Sequence, residues 1–503
     1  MDDQNAVTRN DTTMTAEPPP FNDSINFRIT AAIVASALFM QNVDGTVVAT
    51  ALPSMARDMH TNAVYMSSAI TSYLISLSVF IPLSGWVADR FGARRVFMWA
   101  IAIFTVSSCL CALTGNVVEL VIARLVQGIG GAMMVPVARL LVFRSVRRDQ
   151  LLSATTWLTM PAMIGPLAGP PLGGVLTDAW SWQSVFWINL PVGIAGLLLT
   201  YRYVPAVPGE DAAPPDLRGM LLVGGALTAL MIGIETIGRG FVATTVPIAS
   251  FVVGGSLAWV SVRHCRKSAH PILDLDLLAI PTFNVATLGA TLFRAGAGAL
   301  PFLVPMLLQL GFGLSAATSG TISLASALGS LCMKSLTRFA LHWFSVRAIL
   351  ITSTLLFAIM LAVCATLSAR WSAAAIFALL LFGGLTRSLN FACIGALAFA
   401  DVPKAKLSSA TSFQGIAQQL PKAIGVAIAA GALQVSMSLA NRTNLEHGDF
   451  VFAFLTLAVV VALSIPSLAG LPAEAGDGIS QPAKRRTAQP DGSFDATLPR
   501  KEH

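Results

Sequence analysis

Charged side chains are scarce in this chain of 503 residues. Asp, Glu, Lys and Arg together account for 11% of the residues, whereas hydrophobic residues account for 55%. Because a soluble domain contains about 25% charged residues, the composition excludes an ordinary water-soluble globular protein. It predicts an all-α, polytopic membrane protein built from transmembrane helices.

Features that would indicate catalysis or cofactor binding are also missing. The six cysteines form no Cys-x-x-Cys pair and the six histidines are dispersed, so we expect neither a disulfide framework nor a metal site. No Walker A loop is present, which leaves ATP-driven transport unsupported. We therefore expect no enzyme activity and no cofactor, and the net charge of +7 needs no nucleic-acid partner to explain it.

A cleavable signal peptide is not predicted. The first 28 residues are polar, and the apolar run that follows is too long for the apolar core of a signal peptide. Residues 1–28 and 471–503 are expected to be disordered tails because they are polar and, at the end, basic.

Fourteen apolar runs are long enough to cross a bilayer, since a transmembrane helix needs about 20 mostly apolar residues. They cover approximately residues 29–53, 63–84, 96–114, 117–142, 152–176, 185–203, 219–237, 245–262, 283–307, 316–336, 347–367, 372–398, 409–434 and 450–470.

Basic residues are distributed unevenly over the loops between these runs. One alternating set of loops contains 15 Lys and Arg residues, whereas the other set contains only Arg57, Arg239, Arg370 and Arg442. Loops rich in Lys and Arg remain cytoplasmic. We therefore expect both termini in the cytoplasm and the chain in a plasma membrane, specifically a bacterial inner membrane.

Two short strings have similar counterparts later in the chain. Arg124-Leu-Val-Gln127 in the fourth run resembles Arg387-Ser-Leu-Asn390 in the twelfth, and Leu152-Ser-Ala-Thr155 resembles Ser408-Ser-Ala-Thr411. Chance similarity is the competing explanation. A true repeat predicts two six-helix halves, residues 29–203 and 283–470, with a linker and two inserted helices in residues 204–282.

Four motifs occur in an informative order. They are Asp44-Gly-Thr-Val-Val-Ala-Thr-Ala-Leu-Pro53, Gly85-Trp-Val-Ala-Asp-Arg-Phe-Gly-Ala-Arg-Arg95, Arg124-Leu-Val-Gln-Gly-Ile-Gly130 and Gly165-Pro-Leu-Ala-Gly-Pro-Pro-Leu-Gly-Gly174. Together they resemble the major facilitator superfamily, and specifically its fourteen-helix drug:proton antiporter family. The stretch Trp180-Ser-Trp-Gln-Ser-Val-Phe-Trp-Ile-Asn-Leu-Pro191 is similar to that family as well.

The motif between the second and third runs has the composition of a tight turn with ionic contacts. Gly92 can adopt the positive φ that such a turn often needs, and Asp89 can pair with a nearby arginine or cap a helix. A solvated charged loop is the alternative. The resemblance implies a conformational latch formed by Gly85, Asp89, Arg90, Gly92, Arg94 and Arg95.

Two acidic residues lie well inside the predicted spans, Asp44 and Glu235. An ionised carboxylate is costly in a membrane, so a carboxyl group there can carry a proton. The resemblance associates Asp44 with proton coupling or with cationic drugs, whereas a structural carboxylate is the alternative. Glu235 lies near the end of an inserted helix and can simply reach the membrane interface.

Several basic residues also lie within the spans. Arg124 occupies the position that the resemblance assigns to a proton relay, and Gln127 lies on the same helix face. Arg294, Arg387 and Lys422 are further candidates to line a substrate cavity, with a packing or interface role as the alternative. Since cations outnumber acids in the spans, a preference for dicationic drugs is not supported.

The glycine- and proline-rich run is unusual inside a helix, because both residues disfavour helix interiors. Small side chains allow two helices to approach closely. A generic packing seam is the simpler interpretation. The resemblance implies an antiporter motif at Gly165, Pro166, Gly169, Pro170, Gly173 and Gly174, in which Gly169 and Gly173 pack against the tenth run.

The leading hypothesis is a secondary-active exporter that exchanges protons for hydrophobic or amphipathic small molecules by alternating access. A dedicated exporter of one metabolite, siderophore or lipid is the alternative, and a non-transporting membrane sensor or scaffold is a remote one. The expected partners are the lipid bilayer, protons and a small-molecule substrate. The resemblance also allows a periplasmic adaptor with an outer-membrane channel, and we expect the chain to function as a monomer.

Overall fold

The computed structural model describes residues 24–144, 151–204, 206, 209, 216–236, 245–268, 271–442 and 444–472. Within these ranges every regular element is a helix. The predicted all-α membrane fold is confirmed. The predicted tails lie outside the described residues, apart from residues 24–28 and 471–472.

Among the described residues, thirteen helical segments are long and apolar enough to cross a membrane, and one further helix has 29 residues. In chain order the segments are α1 Thr30–Asp58, α2 Ala63–Phe91, α3 Ala93–Ala112, α4 Val117–Val142, α5 Leu151–Ala179, α6 Ser184–Tyr203, α7 Leu217–Thr236, α8 Thr245–Lys267, α9 Pro281–Gly311, α10 Ala316–Trp343, α11 Val346–Cys364, α12 Ala373–Ala400, α13 Ser409–Leu439 and α14 His447–Ala469.

Serine residues define the beginnings of three consecutive segments. The hydroxyl oxygens of Ser315, Ser345 and Ser372 accept hydrogen bonds from backbone N–H groups three residues further on, at 3.2–3.3 Å. Each serine is extended and therefore acts as the N-cap of α10, α11 or α12. Capping satisfies backbone donors that have no partner within the helix.

Segments α1–α6, which we call the first half, and α9–α14, the second half, have matching internal packing. In the first half α1 packs along α5 and α2 along α4, and in the second half α9 packs along α13 and α10 along α12. The two halves meet along two seams, one between α5 and α10 and the other between α2 and α13. Both seams border the space between the halves.

The inserted segments α7 and α8 pack on each other, and α7 also contacts α2 and α13. Asp216, just before α7, accepts hydrogen bonds from the Gly219 backbone at 2.8 Å and from His264 of α8 at 2.7 Å. Burial alone would raise the pKa of Asp216, but these hydrogen bonds lower it overall. The carboxylate therefore ties α7 to α8, and α7 covers the α2–α13 seam.

We refer to the side of the bundle on which α1 begins as the termini side. With fourteen segments, α14 ends on that side as well. The turn between α2 and α3 also lies there, whereas α5 ends and α10 begins on the opposite side.

Candidate functional site

Asp44, in the middle of α1, is fully buried and has three side-chain partners. Its Oδ2 accepts a hydrogen bond from Nη1 of Arg124 on α4 at 2.7 Å. Its Oδ1 accepts hydrogen bonds at 3.0 Å from Nε2 of Gln127 on α4 and from Nδ2 of Asn189 on α6. Two residues that the sequence analysis chose separately, Asp44 and Arg124, therefore form one ion pair.

The Arg124 side chain is surrounded by hydrogen-bond acceptors and aromatic rings. Its Nε donates to the backbone oxygen of Ala69 at 3.0 Å, and its Nη1 also donates to Oε1 of Gln127 at 2.7 Å. The guanidinium carbon lies 4.4 Å from the centroid of the Tyr73 ring. A lone arginine at the centre of a membrane helix costs about 3 kcal/mol on insertion scales. Here its charge is neutralised by Asp44.

The network extends to residues that the sequence analysis did not single out. Asn189 also donates to Oγ of Ser108 on α3 at 2.9 Å, and Ser108 donates to the backbone oxygen of Phe186 at 2.9 Å. Asn189 is 2% exposed. The signal for it was an amide side chain within the mostly apolar second half of the Trp180–Pro191 stretch. The network therefore joins α1, α3, α4 and α6.

A central cavity of about 620 Å³ lies beside this network, between the two halves. Its wall includes Asn42, Thr46, Tyr73 and Arg124 from the first half. Its charged residues from the second half are Lys334 of α10, Arg387 of α12 and Lys422 of α13. Arg387 and Lys422 thus occupy the cavity position that the sequence predicted, and Lys334 joins them.

The other candidate cavity residues lie elsewhere. Gln127 belongs to the buried network. Arg294 of α9 is 3% exposed and donates to the backbone oxygen of Ala417 at 3.1 Å and to Oε1 of Gln414 at 3.3 Å, which ties α9 to α13. Glu235 of α7 accepts a hydrogen bond from the Thr71 hydroxyl of α2. None of these three side chains is among the described residues that line the central cavity.

The glycine-rich run of α5 faces two different neighbours. A Cβ at Gly169 would lie 1.9 Å from Oγ1 of Thr46, and one at Gly173 would lie 2.4 Å from Oγ1 of Thr50, so both glycines face α1. A Cβ at Gly174 would lie 2.2 Å from the backbone oxygen of Ala316, at the start of α10. This corrects the expectation that Gly169 and Gly173 face the tenth segment.

The reason for the correction is helical geometry. Gly169 and Gly173 are four residues apart and share one face, as expected, but that face packs within the first half. Gly165 continues the same stripe, because a Cβ there would lie 2.6 Å from Cβ of Asn42.

A different face of α5 meets α10. Gly174 lies about 100° further round the helix than Gly173. Pro170 meets α10 as well, since a Cβ at Gly320 would lie 2.1 Å from the Pro170 oxygen. Pro166 lines the cavity.

The turn between α2 and α3 has the predicted backbone conformation. Gly92 has a φ of 88°, in the region that favours glycine. Arg94 donates to the backbone oxygen of Tyr201 at the end of α6, and its guanidinium lies 5.4 Å from the centroid of the Tyr201 ring. The turn is therefore attached to its own half. Of the other residues expected in the latch, Asp89 is partly buried and Gly85, Arg90 and Arg95 are exposed.

The two halves are hydrogen-bonded to each other on the opposite side. The Asp178 carboxylate of α5 accepts hydrogen bonds from the backbone N–H groups of Ala316 at 3.3 Å and Ala317 at 2.8 Å, at the start of α10. Nε2 of Gln309 on α9 donates to the backbone oxygen of Thr50 on α1 at 2.9 Å. By contrast, cavity residues such as Lys334 lie towards the termini side.

Long apolar helices in two matching halves, a cavity between the halves and a buried ion pair beside it define a polytopic membrane protein of the secondary-transporter class. Residues 34–426 match the family model of the Major Facilitator Superfamily, and the chain belongs to that family. It is thus a multi-pass membrane transporter and not an enzyme.

Relatives with recorded names agree with this assignment. The chain is 36% identical over 443 residues to a protein of Salmonella paratyphi A named "Putative multidrug resistance protein MdtD", covering 88% of this chain and 94% of the relative. A protein of the same name in Pectobacterium atrosepticum is 36% identical over 434 residues, covering 86% and 93%.

Solved structures support the fold. The structure is similar to the POT family transporter PepTSo, with a TM-score of 0.64 at 14% identity, covering 89% of this chain and 97% of that one. It is equally similar to a D-xylose-proton symporter, with a TM-score of 0.64 at 16% identity and coverage of 90% and 99%.

Proposed function

We propose that this protein is a proton-coupled exporter of amphipathic small molecules in a bacterial inner membrane, with both termini in the cytoplasm. The observation that carries the proposal is the buried Asp44–Arg124 pair beside the central cavity. The carboxyl group is the member of this pair that can gain and lose a proton, because an arginine keeps its charge in proteins.

The chemistry of coupling follows from the partners of Asp44. As a carboxylate it holds Arg124, Gln127 and Asn189, which lie on two other helices. Protonation removes the charge that attracts Arg124 and turns one carboxyl oxygen into a donor, so these contacts must rearrange. α1 packs along α5, and α5 packs against α10 of the second half. A rearrangement around Asp44 can therefore displace α5 and change the contacts between the halves.

In alternating access, contacts between the halves break on one side of the membrane while other contacts form on the other side. The hydrogen bonds of Asp178 and Gln309 hold the halves together on the opposite side. Release of substrate to that side requires these bonds to break. We assign the turn around Gly92 and Asp89 the role of a latch on the termini side, where it would favour the outward-facing state.

Export rather than import is favoured by the glycine- and proline-rich run of α5 and by the name of the relatives, which refers to multidrug resistance. Transport of several drugs and dedicated export of one metabolite, siderophore or lipid both remain compatible with a cavity of this size. Both halves of this chain contribute to the cavity wall, so a second copy is not needed to form it, and we propose that the protein functions as a monomer.

Purified protein in proteoliposomes provides the test. An imposed pH gradient should drive accumulation of a transported compound, and adding that compound without a gradient should move protons. A panel of fluorescent amphipathic compounds would separate broad from dedicated transport. Absence of both transport and proton movement with every compound would overturn the proposal and favour a sensor or scaffold.

A further inference from the structure

The charges that line the central cavity are all positive. Lys334, Arg387, Lys422 and Arg124 line it, and no Asp or Glu is among the described residues of its wall. Arg124 is neutralised by Asp44. The other three belong to the second half, so the cavity has a neutral wall on one side and a positively charged wall on the other.

Two of these three cations donate hydrogen bonds to neutral side chains. Nη2 of Arg387 donates to Oγ of Ser330 at 3.1 Å, and Nζ of Lys422 donates to Oε1 of Gln419 at 3.0 Å. In the part of the chain that the structure describes, no carboxylate oxygen lies within 4.0 Å of Lys334, Arg387 or Lys422. No acidic residue of the described ranges thus compensates their positive charges by direct pairing.

Lys422 also experiences repulsion from two other cations. The charges of Arg387 and Arg294 both act on the Lys422 ammonium. Arg294 is buried just behind the cavity wall and likewise has only neutral hydrogen-bond acceptors. Bringing unpaired like charges together in a membrane protein costs free energy unless an anion or water compensates them. An anionic ligand would provide the cations with a partner of opposite charge and would reduce the repulsion between them.

We infer that the cavity binds an amphipathic organic anion, with its acidic group between Arg387 and Lys422. Arg387 can bind a carboxylate, sulfonate or phosphate with two parallel hydrogen bonds, and Lys422 adds a point charge. This inference adds a substrate class to the proposed function. That the bound compound is also transported rests on the proposed function.

The remaining wall determines the rest of the ligand. Tyr73 and Leu77 of α2, with Phe302 of α9 and Phe391 of α12, provide aromatic and aliphatic surface. A volume of about 620 Å³ suits a compound of drug size. The occupant is therefore expected to combine one or more acidic groups with an aromatic or aliphatic body.

A direct binding experiment on the full-length protein tests this. Three compounds with the same aromatic body are compared by isothermal titration calorimetry, with protein-free micelles as the blank: 2-naphthylacetate, 2-naphthylacetamide and 2-naphthylmethylammonium. We expect the anion to bind about tenfold or more tightly than the neutral amide, as for a charge-assisted hydrogen bond. The cation should bind most weakly.

Variants then locate the site. Arg387→Gln and Lys422→Gln should each reduce the affinity for the anion to about that for the amide, whereas Arg387→Lys should retain part of the preference. Lys422→Glu should shift the preference towards the cation. Arg263→Gln is the matched control, because Arg263 is exposed on α8 and stacks on Trp259 at 3.8 Å, away from the cavity. Size-exclusion profiles verify that each variant is folded.

Two results separate this inference from the proposed function. If Asp44→Asn loses proton coupling but keeps the preference for the anion, the two sites are distinct, as we expect. If the anion binds no more tightly than the amide, the inference is overturned whether or not the protein transports protons. Displacement of 2-naphthylacetate by phosphatidylglycerol would identify the natural acidic group as that of a lipid, and lack of displacement would identify a soluble anion.

Discussion

Asp178, next to last in α5, caps the beginning of a helix in the other half of the molecule. Its carboxylate accepts a hydrogen bond from the backbone N–H of Ala317 at 2.8 Å. A negative charge at a helix N-terminus is favourable because it satisfies free N–H groups and the helix dipole. Since α5 and α10 belong to different halves, this cap stabilises the conformation in which the halves meet on the opposite side.

Removing this cap should favour opening on the opposite side. A lost N-cap typically costs about 1 kcal/mol, which corresponds to a change of about fivefold in population. In a background without the native cysteines, Asp178→Ala should therefore raise the rate at which a membrane-impermeant maleimide labels a cysteine introduced at Thr50. Asp58→Ala is the control, because Asp58 bonds to Trp182 within the first half. Equal labelling rates in both variants would contradict the role of Asp178.

Asp44→Asn should abolish export driven by a pH gradient, because an amide cannot titrate. It also leaves Arg124 buried without its counter-ion, and breaking a buried pair in this way costs about 3–5 kcal/mol of stability. The double variant Asp44→Asn/Arg124→Gln should recover thermal stability without recovering proton-driven export. Wild-type pH dependence in Asp44→Asn would exclude this carboxyl group as the proton carrier.

Arg124→Ala should be inactive, and Arg124→Lys should be impaired or partly active. The guanidinium binds Asp44 and Gln127 through Nη1 while Nε binds the Ala69 oxygen. A lysine ammonium carries the charge but cannot reproduce this planar arrangement. Transport rates in proteoliposomes, normalised to inserted protein, provide the measurement. Full activity of Arg124→Ala would reduce the arginine to a packing residue.

The structure reverses the expected order of two glycine substitutions. From the sequence, Gly173→Leu should impair the seal between the halves and Gly174→Ala should be milder. A Cβ at Gly174 would lie 2.2 Å from the Ala316 backbone oxygen of the other half, whereas a Cβ at Gly173 would meet Thr50 and the Val47 backbone oxygen within its own half. We expect Gly174→Ala to increase substrate-independent proton leak by severalfold and to reduce export.

Gly173→Ala should mainly lower thermal stability, since it disturbs the packing of α5 on α1. Gly395→Ala serves as the control, because a Cβ at Gly395 meets nothing within 4 Å. Decay of a pH gradient without substrate separates the variants. A leak in Gly173→Ala that exceeds the leak in Gly174→Ala would support the sequence-based order instead.

Local features of this protein could be predicted from the sequence. The fourteen apolar runs match the observed segments, because a membrane helix satisfies its backbone within a single run of about 20 residues. The positive φ at Gly92 was also predictable, because the tight turn from α2 to α3 favours a residue without a Cβ.

The choice of partners was decided only by the tertiary structure. Asp44 and Arg124 are 80 residues apart, and nothing local indicates that their side chains meet at 2.7 Å. The sequence showed that Gly169 and Gly173 share a helix face, but the neighbour of that face depends on how α1, α5 and α10 are arranged. Helical periodicity places residues on a face of their own helix, whereas the identity of the opposing helix results from packing among segments distant in the chain.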